Sequence, residues 1–286
     1  MYAITGISGQ VGGATARTLL AAGHAVRAVV RDAAKGEFWA KQGCETALAE
    51  MNDAAALQAA FSGIEGVFIL LPPSFAPSPG FPEVRRIVDA LSQALAAARP
   101  PKVVCLSTIG AQASQTNLLT QLQIMETELG KLDLPLTFLR PAWFMENALW
   151  DVAPARSSGV IPSFLQPLDK PVPMIATADV GRVAAELLLE QWQGQRIVEL
   201  EGPERVTPNQ IAATFAELLK HPVRMEAVPR DSWRDIFSAQ SPADPEPRMQ
   251  MLDGFNQGWI EFSGPARKGK VALATVLQHL LGAPAI

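Results

Sequence analysis

Short apolar runs alternate with longer segments that carry apolar residues on one helical face through the first half of the chain. Tyr2–Thr5, Ala25–Val30, Glu45–Ala49, Val67–Leu71, Val103–Ser107 and Leu136–Leu139 are short and mostly apolar or β-branched. That pattern predicts strands, most of them buried on both faces. Between them lie the Ala- and Leu-rich stretches Gly12–Ala22, Ala33–Gln42, Ala54–Phe61, Glu83–Ala98 and Leu119–Lys131, which predict helices. Strand–helix–strand repetition of this kind predicts an α/β fold built on a doubly wound parallel sheet. Gly23 stands where a C′ glycine would end the first helix, and Asp53 where a cap would begin the third.

After about Arg140 the rhythm breaks, and Pro, Gly and aromatic residues become frequent. Asp179 is placed to cap a helix running to Leu189. Arg196–Leu200 reads as a returning strand, and Pro208 as the N1 residue of a helix running to Lys220. Ser241–Pro247 reads as a loop. The pattern therefore divides the chain into a main domain, residues 1–150, and a small α/β lobe, residues 151–286, some of whose segments return to the main sheet.

Composition narrows the classes. With 48% apolar and 18% charged residues over 286 positions, the chain can bury a substantial core. A net charge of −4 argues against a broad basic surface for nucleic acid. Two cysteines and three scattered histidines give no metal-ligand spacing. The longest apolar run, Val67–Leu71, is too short to span a bilayer, and no signal segment precedes the first strand. A soluble cytoplasmic protein is expected.

Gly6-Ile7-Ser8-Gly9-Gln10-Val11-Gly12 joins the first strand to the first helix. Gly6 permits a tight turn, Gly9 lets a pyrophosphate approach the backbone, and Gly12 allows helix and strand to pack closely. The helix start then offers N–H groups and a partial positive charge to phosphates. This assigns dinucleotide binding to residues 1–150 and a substrate or partner role to the lobe. After the second strand comes Arg31, where an NAD-selective protein would carry an acid. Arg31, with Lys35 a turn later, favours NADP(H) over NAD(H) through the 2′-phosphate. Asp32 either caps the helix or accepts from a ribose hydroxyl. Glu50 and Met51 lie at the expected adenine edge, and Leu71-Pro72 at the exit of the fourth strand, beside the expected nicotinamide ribose.

Three segments carry a resemblance: Thr5 to Gly12, Val30-Arg31-Asp32, and Arg140-Pro141-Ala142-Trp143-Phe144-Met145-Glu146-Asn147. The chain resembles the NmrA-like family of atypical short-chain dehydrogenases/reductases, over most of its length and more thinly after about residue 230. The resemblance implies a Rossmann-like fold. It is similar in flavour to bacterial NAD(P)H:quinone oxidoreductases and to regulators that sense dinucleotides without turning them over. It implies cofactor contacts at Gly6, Gly9, Gly12, Arg31 and Pro141, and places Trp143, Phe144 and Asn147 nearby.

Typical members of the wider superfamily use a Tyr-x-x-x-Lys dyad with a serine after the fifth strand. Here the hydroxyl pair Ser107-Thr108 is present, but Asn117–Glu126 contains no Tyr, Lys or His, and the one tyrosine is Tyr2. Oxidation of secondary alcohols by the usual route is therefore not expected. Trp143, Phe144 and Trp150 either line a flat acceptor pocket, with Asn147 or Ser107 as polar anchors, or pack the lobe onto the sheet. Two functions follow: an NADPH-dependent reductase of quinones or similar conjugated carbonyl acceptors, or a redox-inactive dinucleotide sensor that meets a regulatory protein partner.

Overall fold

The computed structural model describes residues 1–282. The first half follows the expected order: β1 (Tyr2–Ile4), α1 (Gln10–Ala21), β2 (Val26–Val30), α2 (Ala33–Lys41), β3 (Glu45–Leu48), α3 (Ala54–Phe61), β4 (Gly66–Ile69), α4 (Pro82–Ala98), β5 (Val103–Leu106), α5 (Thr120–Leu129) and β6 (Leu136–Pro141). Then come β7 (Trp143–Phe144), a 3-10 turn (Met145–Asp151), α6 (Val152–Ser157), β8 (Val160–Ser163), β9 (Met174–Ile175), α7 (Thr177–Leu189) and β10 (Gln195–Glu201). The chain closes with α8 (Pro208–Leu219), β11 (Arg224–Ala227), α9 (Trp233–Gln240), α10 (Glu246–Gln257), β12 (Arg267–Lys268) and α11 (Leu273–Gly282).

Eight strands form one sheet in the order β12-β10-β6-β5-β4-β1-β2-β3, and every neighbouring pair is parallel. The order reverses between β1 and β4, which opens a crevice at the carboxyl ends of those strands. One face is covered by α3, α4 and α5 through Phe61, Leu91, Leu95 and Met125, and the other by α1 and α7 through Leu19, Val183 and Leu187. A third core, around Phe215, Trp233, Phe255 and Leu277, fills the lobe. Helices α1 and α7 touch so closely that a Cβ on Gly181 would lie 2.4 Å from Ala14 Cβ. No helix among the described residues is long and apolar enough to cross a membrane.

Local chemistry agrees with the sequence at most helix ends. Asp53 accepts from the N–H groups of Ala55 and Ala56, and Gly23 takes a φ of +81° after α1. Thr207 and Gln210 form a reciprocal capping box ahead of α8, with Pro208 at N1.

Two expectations are corrected. Asp179 does not cap α7, because the N-cap is Ala176 and Asp179 lies inside the first turn, 2% exposed. Its Oδ2 accepts from the N–H groups of Lys270 and Val271, each at 2.7 Å, and its Oδ1 from Arg182 at 2.9 Å. Burial pushes this carboxyl up, but those hydrogen bonds and the Arg182 charge outweigh it and hold the group below the usual range. The start of α7 is capped instead by Glu146, which accepts from Thr177 N–H and hydroxyl. Residues 241–247 are also not all loop: α10 begins at Glu246, leaving 241–245 as the connection.

Candidate functional site

The glycine loop is held by its neighbours before any ligand is considered. Thr5 Oγ1 donates to Phe68 O at 3.2 Å and accepts from Leu70 N at 2.8 Å, which straps β1 to β4. Gly6 has a φ of +61°, and a Cβ there would meet Leu70 Cδ2 at 3.0 Å. Gly9 N donates to Gly6 O at 2.9 Å. A Cβ on Gly12 would stand 2.3 Å from Gly6 O, so no larger residue fits at that approach. Ile7, Val11 and Gly12 are buried, whereas Ser8, Gly9 and Gln10 are exposed.

The N-terminus of α1 has no side-chain cap and no acid in its first turn. Its backbone donors and positive dipole end are thus left to face an anion. A dinucleotide's pyrophosphate fits this cradle.

The remaining candidates lie around that loop because the strands are parallel. Arg31, Glu50, Leu71 and Ser107 each follow a strand of the sheet, and Pro141 ends one, so all five stand at its carboxyl edge. Arg31 and Lys35 are exposed and make no ion pair among the described residues, while Asp32 is engaged by α2, accepting from Ala34 N at 2.8 Å. Glu50 is exposed; Met51 and Leu71 are buried in the core beneath α3 and α4; Pro72 is half-buried.

The aromatic candidates differ in their surroundings. Trp143 packs edge-on against Phe255 of α10, with ring centroids 5.1 Å apart, and Phe144 packs against the core between α1, α7 and the sheet. Trp143 thus touches the lobe core and Phe144 the main one. Asn147 is exposed, and Trp150 is 81% exposed. Beside it the half-buried Asp151 is pushed up to about 7 by burial.

Around Ser107 there is an ionic network that the sequence left unrecognised. Ser107 Oγ donates to Glu126 Oε1 at 2.5 Å. Arg140 donates from Nε to Glu126 Oε1 at 2.8 Å and from Nη2 to Oε2 at 2.5 Å. Its Nη1 reaches Gln112 Oε1 at 2.9 Å and stands 3.9 Å from Glu199 Oε1. Arg140 and Glu199 are opposite each other in the β6–β10 register, a pairing visible only once the strand order is known. Tyr2 lies at the other end of the sheet, at the start of β1, edge-on to His24.

The chain matches the model of the NmrA-like family over residues 2–264. It belongs to that family.

Among curated relatives, a (4-alkanoyl-5-oxo-2,5-dihydrofuran-3-yl)methyl phosphate reductase of Streptomyces griseus is 27% identical over all of this chain and 94% of its own. An NAD(P)H azoreductase of Xenophilus azovorans is 26% identical, covering 80% of this chain and 77% of the relative. Quinone oxidoreductase 2 of Escherichia coli is 29% identical, covering 76% and 74%. Two solved structures share the NmrA-like chain's fold. An NADPH complex of the E. coli NADPH-dependent quinone oxidoreductase superposes with a TM-score of 0.78 at 23% identity, over 100% of this chain and 96% of that one. The Citrobacter sp. triphenylmethane reductase superposes with a TM-score of 0.79 at 20% identity, over 99% of each chain.

Proposed function

We propose that this protein is an NADPH-dependent oxidoreductase that reduces quinones or similar conjugated carbonyl acceptors without a tyrosine–lysine dyad. The observation that carries the proposal is the uncapped, acid-free start of α1 behind the glycine loop, with Arg31, exposed and in no ion pair among the described residues, at the next strand end. The relatives named as an azoreductase, a quinone oxidoreductase and a reductase of an (alkanoyl-oxo-dihydrofuranyl)methyl phosphate support the same class.

When bound, the cofactor supplies the hydride. The backbone of Gly6, Ile7, Ser8 and Gly9 and the first N–H groups of Gln10, Val11 and Gly12 hold its pyrophosphate. Arg31 and Lys35 hold the 2′-phosphate. Glu50 and Met51 border the adenine, and Leu71, Pro72, Ser107 and Pro141 border the nicotinamide half. Asn147 and Trp150 are the acceptor-side residues left free to touch a ligand, and Trp143 and Phe144 set their position by anchoring the lobe.

The one tyrosine, Tyr2, starts β1 at the amino edge of the sheet, and Glu126 is paired with Arg140, so neither is placed to protonate a product. An electron-poor quinone needs none, because water protonates the reduced oxygen.

NADPH absorbance followed against a panel of quinones and secondary alcohols tests the assignment. Quinones are expected to drive oxidation of NADPH, and alcohols are expected not to reduce NADP+. Brisk alcohol oxidation overturns the dyad-free mechanism. Tight NADPH binding with every acceptor inert replaces the enzyme by a sensor acting on a protein partner.

A further inference from the structure

Ser107 stands at the carboxyl end of β5, next to β4 and therefore on the nicotinamide side of the crevice. A serine hydroxyl has one proton to donate and two lone pairs with which to accept. Here the proton is committed. Ser107 Oγ lies 2.5 Å from Glu126 Oε1, and Arg140 grips both oxygens of the same carboxylate. A guanidinium only donates, so both carboxylate oxygens act as acceptors, and the hydrogen shared with Ser107 belongs to the serine. The guanidinium is fixed in turn by Gln112 and faces a second carboxylate, Glu199, which accepts from the N–H groups of Ser263 and Gly264 at 2.8 Å. Ser107, Arg140 and Glu199 are all buried, so water does not readily reshuffle these bonds.

We propose that Ser107 serves the cofactor as a hydrogen-bond acceptor, and that Glu126 is the positioning residue that sets this polarity. The donor is an N–H of the nicotinamide carboxamide or an O–H of the adjoining ribose. Ser107 then cannot hand a proton to the reduced acceptor. This inference rests on the dinucleotide assignment above.

Equilibrium binding of three probes to the full chain tests it: NADPH, its 3-acetylpyridine analogue, in which a methyl replaces the amide nitrogen, and 2′-phospho-ADP-ribose, which lacks the nicotinamide ring. Ser107→Ala is expected to weaken NADPH about three- to tenfold, the worth of one hydrogen bond, and Ser107→Thr to restore it. If the carboxamide donates, the loss vanishes with the acetylpyridine analogue. If the ribose donates, phospho-ADP-ribose shares the loss. Glu126→Gln is expected to weaken NADPH in the same direction, with no further loss when combined with Ser107→Ala.

Unchanged affinity for all three probes in Ser107→Ala overturns the proposal, as do losses from the two substitutions that simply add. Ser107→Ala removes one hydroxyl, so it keeps the test open if Glu126→Gln fails to fold. A wild-type chain that binds none of the probes brings down the dinucleotide assignment itself, which is a different result from a bound cofactor indifferent to Ser107.

Discussion

Arg31 is exposed and makes no ion pair among the described residues, so its charge has no structural task to compete with a ligand. A charge-assisted bond to a phosphate contributes about 1.5–3 kcal/mol, or roughly ten- to a hundredfold in affinity. Arg31→Ala is expected to remove most of the preference for NADPH over NADH in direct binding, with the melting temperature unchanged. A lowered melting temperature, or equal binding of both cofactors by the wild type, refutes that role. Asp151 makes a separate expectation. Its carboxyl titrates near 7 in the folded chain, against 3.8 as the ordinary value. Unfolding therefore releases a proton between those limits, and stability falls as pH climbs through the window, with the full cost present above it. Asp151→Asn is expected to raise the melting temperature at about pH 8 and leave it unchanged at about pH 4. A gain of equal size at both pH values rules this out. Single residues were legible where the chemistry is local, as with Asp53, Gly23 or Pro208. Asp179 was misread because its partners, Lys270 and Val271, come from a distant segment after β12.

At the level of elements, α1 and α7 meet with almost no space between them. A Cβ on Gly181 would meet Thr15 N and Val11 O at 2.8 Å as well as Ala14 Cβ. Gly181→Ala is expected to lower the unfolding free energy by about 1–3 kcal/mol in urea titration, and to weaken NADPH, since α1 carries the phosphate loop. Ala14→Gly is expected not to rescue it, because two of the three obstacles are backbone; a full rescue would show that the helices simply shift apart. β1, β4, β5 and β6 were legible because buried parallel strands are runs of apolar residues. The Glu126–Arg140–Glu199 cluster was not, since it depends on β10 lying beside β6, which no local pattern announces. β12 escaped notice for a simpler reason: Arg267 and Lys268 are charged and exposed.

For the whole molecule, a mechanism without a side-chain acid implies a kcat that changes less than about twofold between roughly pH 6 and 8. Asp151, beside Trp150 and pushed up to about 7, titrates inside that window, so any change confined to KM is expected to disappear in Asp151→Asn. A bell-shaped kcat profile is the result that excludes the mechanism. The path of the chain carries a last consequence. It leaves the sheet after β6, comes back as α7 and β10, leaves again and comes back as β12. The lobe is stitched to the sheet rather than hung from it by one strand of chain. A fragment ending at residue 150 would lose β10 and leave the outer side of β6, from Leu136 to Pro141, with open backbone donors and acceptors. Such an edge recruits other copies. Expressed alone, the first 150 residues are expected to elute as soluble aggregates or precipitate, whereas full-length protein cleaved within 241–245 is expected to stay together on gel filtration, its two pieces interlocked.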